Sequence, residues 1–264
     1  MDPRLKRAAW FLVDGHAERE PFGPFPEDAC PRSVAEGYAV QDEFVALKSR
    51  ACGPVAGYKI ALTTVAMRTM VGLSDSIGGA MHDRQVVRGP ATARAADYGR
   101  LIVEFEVAVQ LASDLPAHGA PYTHESVAAA VGAVMPAFEL ADDRNADYAS
   151  LATQALGLIA DNAWNEGAVL GSPVTDWRAI DLAAIHGVAT INGAIVGEGH
   201  GRDVMGHPLA ALAWVANNLA QRGKHLRAGQ FVITGSLVTS KFPKAGDSIG
   251  FDLGALGSVQ LRVE

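Results

Sequence analysis

Apolar residues recur along this chain in two periods, about 3.6 residues and two residues, and the switches between them lay out the elements. The first quarter keeps the helical period. "LKRAAWFLV" is one candidate helix, and Ser33-x-x-Glu36 has the form of a capping box ahead of "GYAVQDEFVALKS". "GPVAGYKIAL" then reads as a strand and "TTVAMRTMVG" as a short helix stopped by Gly72. A glycine-rich link, "SIGGAMHDRQVV", leads to "LIVEFEVAVQL" at residues 101–111, where apolar and other positions alternate strictly. A helix is expected near "HESVAAAVGAV" and an apolar strand at "MPAFELA". "GLIADNAWNEGAVLGSP" reads as strand, polar loop and strand, and "VATINGAIVGEG" as a hairpin around Asn192-Gly193, the pair favoured in type I′ turns. "GHPLAALAWVANNLAQRG" opens on proline and closes on Gly223, proper helix punctuation, with Leu209, Leu212, Val215 and Leu219 at core spacing. Strands and turns fill the rest, from "QFVITGSL" to the end. The pattern predicts one α+β domain over residues 1–264, with a mainly helical region at 1–50 and helices around a largely β core at 51–264.

The alternation in "LIVEFEVAVQL" is broken by chemistry. Phe105, Val107, Val109 and Leu111 share one face; Glu104, Glu106, Ala108 and Gln110 share the other. Both carboxylates therefore project from one side, their Cα atoms roughly 6.5 to 7 Å apart. On a wet face such a pair is unremarkable. On an interior face it needs positive charge, since neighbouring buried carboxylates otherwise protonate or destabilise the fold, and a hard divalent cation would supply that charge. A third acid, Glu139, sits in another apolar strand, where a lone glutamate is costly. Three carboxylates around an octahedral Mg²⁺ or Mn²⁺ would leave positions open for water or substrate oxygens. Lys59, among apolar neighbours in "GYKIAL", is the leading cation to offset the excess negative charge. Burial lowers its pKa and the carboxylates raise it, so the sequence leaves its protonation state open.

Composition narrows the partners. The chain has 264 residues, is 49% hydrophobic and carries a net charge of −7 without any basic block, which points away from nucleic acid and anionic membranes and toward small molecules. Two cysteines, Cys30 and Cys52, are too few for a disulfide framework, and no apolar signal core opens the sequence, so a cytoplasmic protein is expected. The smoothest apolar run is too short to span a bilayer and contains Pro136.

Over nearly its whole length the chain resembles the 2-keto-4-pentenoate hydratase and 4-oxalocrotonate decarboxylase family, within the fumarylacetoacetate hydrolase superfamily. The resemblance lies in "EGYAVQ", "GYKIALT", Asp83 downstream of a Gly-Gly pair, "EFEVAVQLASDLP", "MPAFEL" with Arg144 nearby, "ADNAWNEGAVLG", Gly199-x-Gly201, "LRAGQFVITGSL" and "KAGD…LGSV", all in one order. It implies a rolled, mixed β-sandwich, a homo-oligomer, and a Mg²⁺ or Mn²⁺ site of Glu104, Glu106 and Glu139. It also implies short 2-oxo or 2-hydroxydienoic acids from aromatic meta-cleavage as substrates. Lys59 and Asp83 are then assigned to proton transfer, with Asn162 and Ser236 near the ligand. Hydration to a 4-hydroxy-2-oxo acid is the expected reaction. Decarboxylation is the alternative, followed by C–C hydrolysis with His82 as base and by a non-catalytic 2-oxo-acid-binding relative. Gly199-x-Gly201 follows a hairpin and has the wrong spacing for a dinucleotide fingerprint, and no nicotinamide is expected.

Overall fold

The computed structural model describes residues 2–264. Two helices come first, α1 (Pro3–Glu18) and α2 (Val34–Cys52), followed by β1 (Val55–Ala61), α3 (Val65–Val71), β2 (Ile77–His82), β3 (Val86–Arg88) and β4 (Ala91–Ala93). The middle holds β5 (Leu101–Leu111), α4 (His124–Val127), β6 (Val131–Asp142), α5 (Ala155–Ala160) and β7 (Asn165–Leu170). The last part holds β8 (His186–Ile191), β9 (Ala194–His200), α6 (Pro208–Gln221), β10 (Phe231–Lys241), β11 (Ser248–Asp252) and β12 (Ser258–Val263). They form a seven-stranded sheet, ordered β2-β1-β10-β5-β6-β7-β3, and a five-stranded sheet, β4-β12-β11-β8-β9. Parallel and antiparallel pairs occur in both, so the fold is the expected α+β roll with a helical N-terminal region.

One face of β5 packs on the second sheet. Phe105 meets Phe138 of β6 and Phe251 of β11 edge-on, ring centroids 5.5 Å apart in both pairs, at the centre of the main core. The opposite face therefore points away from the second sheet, and it is there that the acids lie. Register sets Ile102 against Ala141, Glu104 against Glu139 and Glu106 against Ala137. The result is an acidic band between two apolar ones: Ile102 and Ala141 join one hydrophobic cluster, Ala108 and Ala137 another.

Several local expectations need correction. The "SIGGAMH" link is strand β2, buried at all six positions. Its glycines make room for neighbours: a Cβ on Gly79 would lie 2.8 Å from the Asn162 carbonyl oxygen. "GLIA" is the end of helix α5, because the chain turns through three consecutive left-handed residues, Asn162, Ala163 and Trp164, before entering β7. The helix at "HESV" lasts one turn, since pairing with β5 claims the following apolar run for β6. At the start of α2, Ser33 does accept from the Glu36 amide, but the Glu36 carboxylate turns to the Arg32 amide and to Arg4, leaving the capping box half made. The Asn192-Gly193 turn has both residues at positive φ, and α6 buries Leu209, Leu212, Val215 and Leu219, as the pattern requires.

Candidate metal centre

Glu104, Glu106 and Glu139 each offer a carboxylate oxygen within 4.8 Å of the others. Strand geometry makes this compulsory: Glu104 and Glu106 share a face of β5, and antiparallel register puts Glu139 directly across from Glu104. Glu106 and Glu139 are fully buried. Glu106 Oε2 accepts from the Gly235 amide at 2.5 Å, while its Oε1 has no partner. Glu139 Oε1 accepts from Asn165 Nδ2 at 2.8 Å, and its Oε2 likewise has none. Glu104 Oε1 accepts from the Ser240 hydroxyl at 2.6 Å. Two bare buried carboxylate oxygens in one cluster are what a divalent cation would satisfy.

The Gly235 amide reaches Glu106 because β10 bulges. Its register against β5 slips at three places between Ile233 and Lys241, and Gly235 takes φ +102 within the slip. A Cβ there would come within 2.8 Å of Thr63 Cγ2, so glycine is required on both counts.

Lys59, in β1, is 3% exposed, with Nζ 3.1 Å from Glu139 Oε1 and 3.3 Å from the Ala163 carbonyl. β1 and β6 lie three strand spacings apart, roughly 14 Å in a flat sheet. The contact therefore reports how far the sheet curls around the acids. Burial alone would lower the lysine pKa, but Glu139, Glu104 and Glu106 outweigh it and raise it above the ordinary value. With Nζ 3.1 Å from a Glu139 oxygen, the lysine is placed as the counter-ion of the acids. Burial, then Glu139 and Glu104, push Glu106 well above the usual carboxylate range. Burial pushes Glu139 up to about 7, against the pull of Lys59. Such values describe a carboxylate cluster short of positive charge.

The other residues singled out in the sequence meet different fates. Asp83 lies past the end of β2 in an exposed 3-10 turn, outside the cavity over the acids. Asn162 is buried with its amide spent on one residue, Oδ1 accepting from the Ala80 amide at 2.7 Å and Nδ2 donating to the Ala80 carbonyl at 2.8 Å. It pins the left-handed turn to β2 rather than facing the cavity. Ser236 does line the cavity, but its hydroxyl accepts from the Phe105 amide and donates to the Val238 carbonyl across the bulge. His82 is buried, its ring nitrogens at 3.0 Å from the Val45 carbonyl and 3.2 Å from Gln85 Oε1, away from the acids. Burial lowers its pKa. It does not line the cavity over the acids, which is the placement of a structural histidine.

No pattern along the chain marks Asp203, which lines the cavity just after β9, or Asn165, whose amide orients Glu139. Nor does any reveal the ion network behind the left-handed turn. There, His16 of α1 lies 2.6 Å from Asp161 and 2.9 Å from Glu166, Arg144 pairs with Asp161, and Lys48 with Glu166. In three of these four pairs the partners are more than a hundred residues apart in sequence, so no local spacing could show them.

A rolled α+β fold with a buried carboxylate cluster able to hold a divalent cation defines the class of protein. The chain belongs to the fumarylacetoacetate hydrolase family: the profile described as fumarylacetoacetate (FAA) hydrolase C-terminal matches residues 53–264. It is 32% identical over 233 residues to a 4-oxalocrotonate decarboxylase from Pseudomonas putida, covering 87% of this chain and 85% of the relative. It is 29% identical to a 2-keto-4-pentenoate hydratase from Paraburkholderia xenovorans, covering 100% of this chain and 97% of the relative. A solved 4-oxalocrotonate decarboxylase from Pseudomonas putida G7, complexed with magnesium and adipate, superimposes with a TM-score of 0.90 at 27% identity, over 100% of this chain and 98% of that one. With hydratases and decarboxylases as its relatives over this length, the chain is an enzyme of the lyase class. Among the described residues, no helix is long and apolar enough to cross a membrane.

Proposed function

We propose that the chain hydrates a 2-hydroxy-2,4-dienoic acid to a 4-hydroxy-2-oxo acid, with Mg²⁺ or Mn²⁺ held by Glu104, Glu106 and Glu139. The observation that carries this reading is the pair of bare oxygens, Glu106 Oε1 and Glu139 Oε2, buried in a cluster that already contains the Lys59 ammonium. The cation would act as a Lewis acid, drawing negative charge toward the C2 oxygen of a chelating substrate.

The chain's own groups account for the rest. Lys59 Nζ, buried and hydrogen-bonded on the acid side, faces the C2 oxygen and stabilises charge developing there. Its Nζ donors, at the acid end of the cavity, are placed to hold or pass a proton at the C2 oxygen. The reaction moves the C2 hydroxyl proton to C5, giving an α,β-unsaturated ketone, and then adds water across C3 and C4 with its oxygen on C4. Asp203 takes the role the resemblance gave to Asp83, orienting that water through Oδ1, since its Oδ2 accepts from the His200 amide at 2.7 Å. It is the only carboxylate lining the cavity outside the cluster, among the described residues. The mainly apolar walls keep bulk water from competing. Decarboxylation is the second reading, favoured by the 0.90 TM-score to the solved decarboxylase.

Mg²⁺ titrated calorimetrically into the protein should bind, and Glu106→Gln should weaken it at least tenfold, because a neutral amide replaces an anionic ligand. Equal affinity in the two proteins would reject the ligand set. With 2-hydroxypenta-2,4-dienoate, loss of dienol absorbance without CO₂ release is expected. CO₂ from 2-oxohex-3-enedioate in its place would move the assignment to the decarboxylase.

A further inference from the structure

We propose that the substrate is a monocarboxylate with an uncharged, apolar tail longer than a five-carbon dienoate provides, and that dicarboxylates are discriminated against. This rests on the 2-oxo-acid reading above and adds what lies beyond the reacting carbons. The cavity over the acids has a volume of about 490 Å³, in the range that encloses drug-sized ligands and far more than a five-carbon acid needs.

The floor of this cavity sets the direction in which a substrate must run. Glu104 and Glu139 form one end of it, beside the β10 bulge under which Glu106 is buried, and Ile102 and Ala141 follow on the same face, one side-chain repeat further along the two strands. Past that point the lining is apolar: Val71 of α3, Leu151, Leu158 of α5 and Trp164 belong with Ile102 and Ala141 to one hydrophobic cluster. Met67 and Met70 of α3 edge the same cavity while remaining 38% and 48% exposed, so they mark its mouth with flexible, apolar side chains. A substrate held by its carboxylate and C2 oxygen at the acids thus lays its far end on hydrocarbon.

No cation waits there for a second carboxylate. Among the described residues, Lys59 is the only cationic side chain lining the cavity, and it stands at the acid end. Arg100, the next residue on the Ile102 face, is already neutralised: its Nε lies 2.8 and 2.9 Å from the two oxygens of buried Asp143, which also accepts from the Tyr148 hydroxyl at 2.9 Å. Arg68 of α3 donates to the carbonyls of Leu62 and Thr63 and does not face the cavity. A distal carboxylate would therefore be desolvated against Leu151 and Leu158 with no cation to pair with, only the neutral indole N–H of Trp164, which lacks a protein partner, and burying a charge without a counter-charge is how a binding site rejects a ligand.

The test uses non-reacting 2-oxo acids and reads binding, not turnover. Calorimetry on the Mg²⁺-loaded protein would compare pyruvate, 2-oxooctanoate and 2-oxooctanedioate. The expected order has 2-oxooctanoate at least tenfold tighter than either of the others. Leu151→Ala and Leu158→Ala should each cost 2-oxooctanoate at least threefold more affinity than they cost pyruvate. Equal or tighter binding of 2-oxooctanedioate overturns the proposal while leaving the 2-oxo-acid reading intact, as does a uniform loss for both ligands in the two variants. Failure of all three acids to bind overturns both.

Discussion

Glu106 and Glu139 each hold one carboxylate oxygen in a hydrogen bond and leave the other bare in the interior, an arrangement that is destabilising until positive charge arrives. The residue scale is also where two aspartates exchange places. "GGAMHD" drew attention to Asp83, yet the aspartate that the fold delivers to the cavity is Asp203. Asp83→Asn is expected to keep kcat/KM within about threefold of the parent. Asp203→Asn should lower it about 10²-fold, the lower end of what a positioned acid or base contributes. Steady-state assays on the two variants check this, and the reverse ranking would restore the sequence assignment. Lys59 was found by its oddity, a lysine among apolar neighbours, and its contact with Glu139 accounts for that oddity.

At the scale of elements, the site depends on irregularities in β10 and before β7 more than on the regular strands. The β10 bulge turns the Gly235 amide toward Glu106, and the left-handed turn at 162–164 gives Lys59 its carbonyl partner. Gly235→Ala would set a Cβ against Thr63 in a backbone region that suits glycine. It should lower stability by about 1 to 3 kcal/mol and weaken Mg²⁺ binding about tenfold, read by urea unfolding and calorimetry. Wild-type metal affinity in a destabilised variant would separate the bulge from the ligand set. Alternation of period two reveals β5 and its twin acids, the helical period reveals α1, and helix punctuation reveals α2, α3 and α6. Strand β2 was missed because glycine and alanine carry little strand signal, and those small residues are there to let Asn162 and Lys59 approach.

On the scale of the molecule, α1 is tied to the segment behind the site by charge. His16 bridges Asp161 and Glu166, which flank the left-handed turn, and Phe44 of α2 packs on its ring at 4.9 Å. Burial raises the Glu166 pKa, but Lys48 and His16 outweigh it and hold the carboxyl at about 2. Burial likewise lowers that of His16, and Asp161 and Glu166 outweigh it, leaving the imidazole above its ordinary 6.5. Stability from Glu166 is thus present above its unfolded value near 4.5 and lost as pH falls toward 2. That from His16 is present below 6.5 and lost as pH rises through its raised value. Urea unfolding should show greatest stability from this network between about pH 5 and 6.5. Glu166→Gln should cost about 3 kcal/mol there, the penalty for leaving a buried charge unpaired, and flatten the acid side of the profile. An unchanged acid limb would remove Glu166 from the account.

Read alone, the chain declared its α+β character, its hairpin and core helix, and three acids plus a lysine in places where apolar residues belong. These are local facts: side-chain periodicity, turn chemistry and the cost of a charge within an apolar run are all properties of neighbours in sequence. Only the tertiary structure decided that the three acids share one point, that Lys59 is their counter-ion and Arg100 is Asp143's, and that Asp203 rather than Asp83 meets the cavity. Those outcomes depend on strand register and on the curl of a sheet that joins residues 59, 104, 139 and 235, and no spacing along the chain encodes the distance between strands that pair only once the whole sheet has formed.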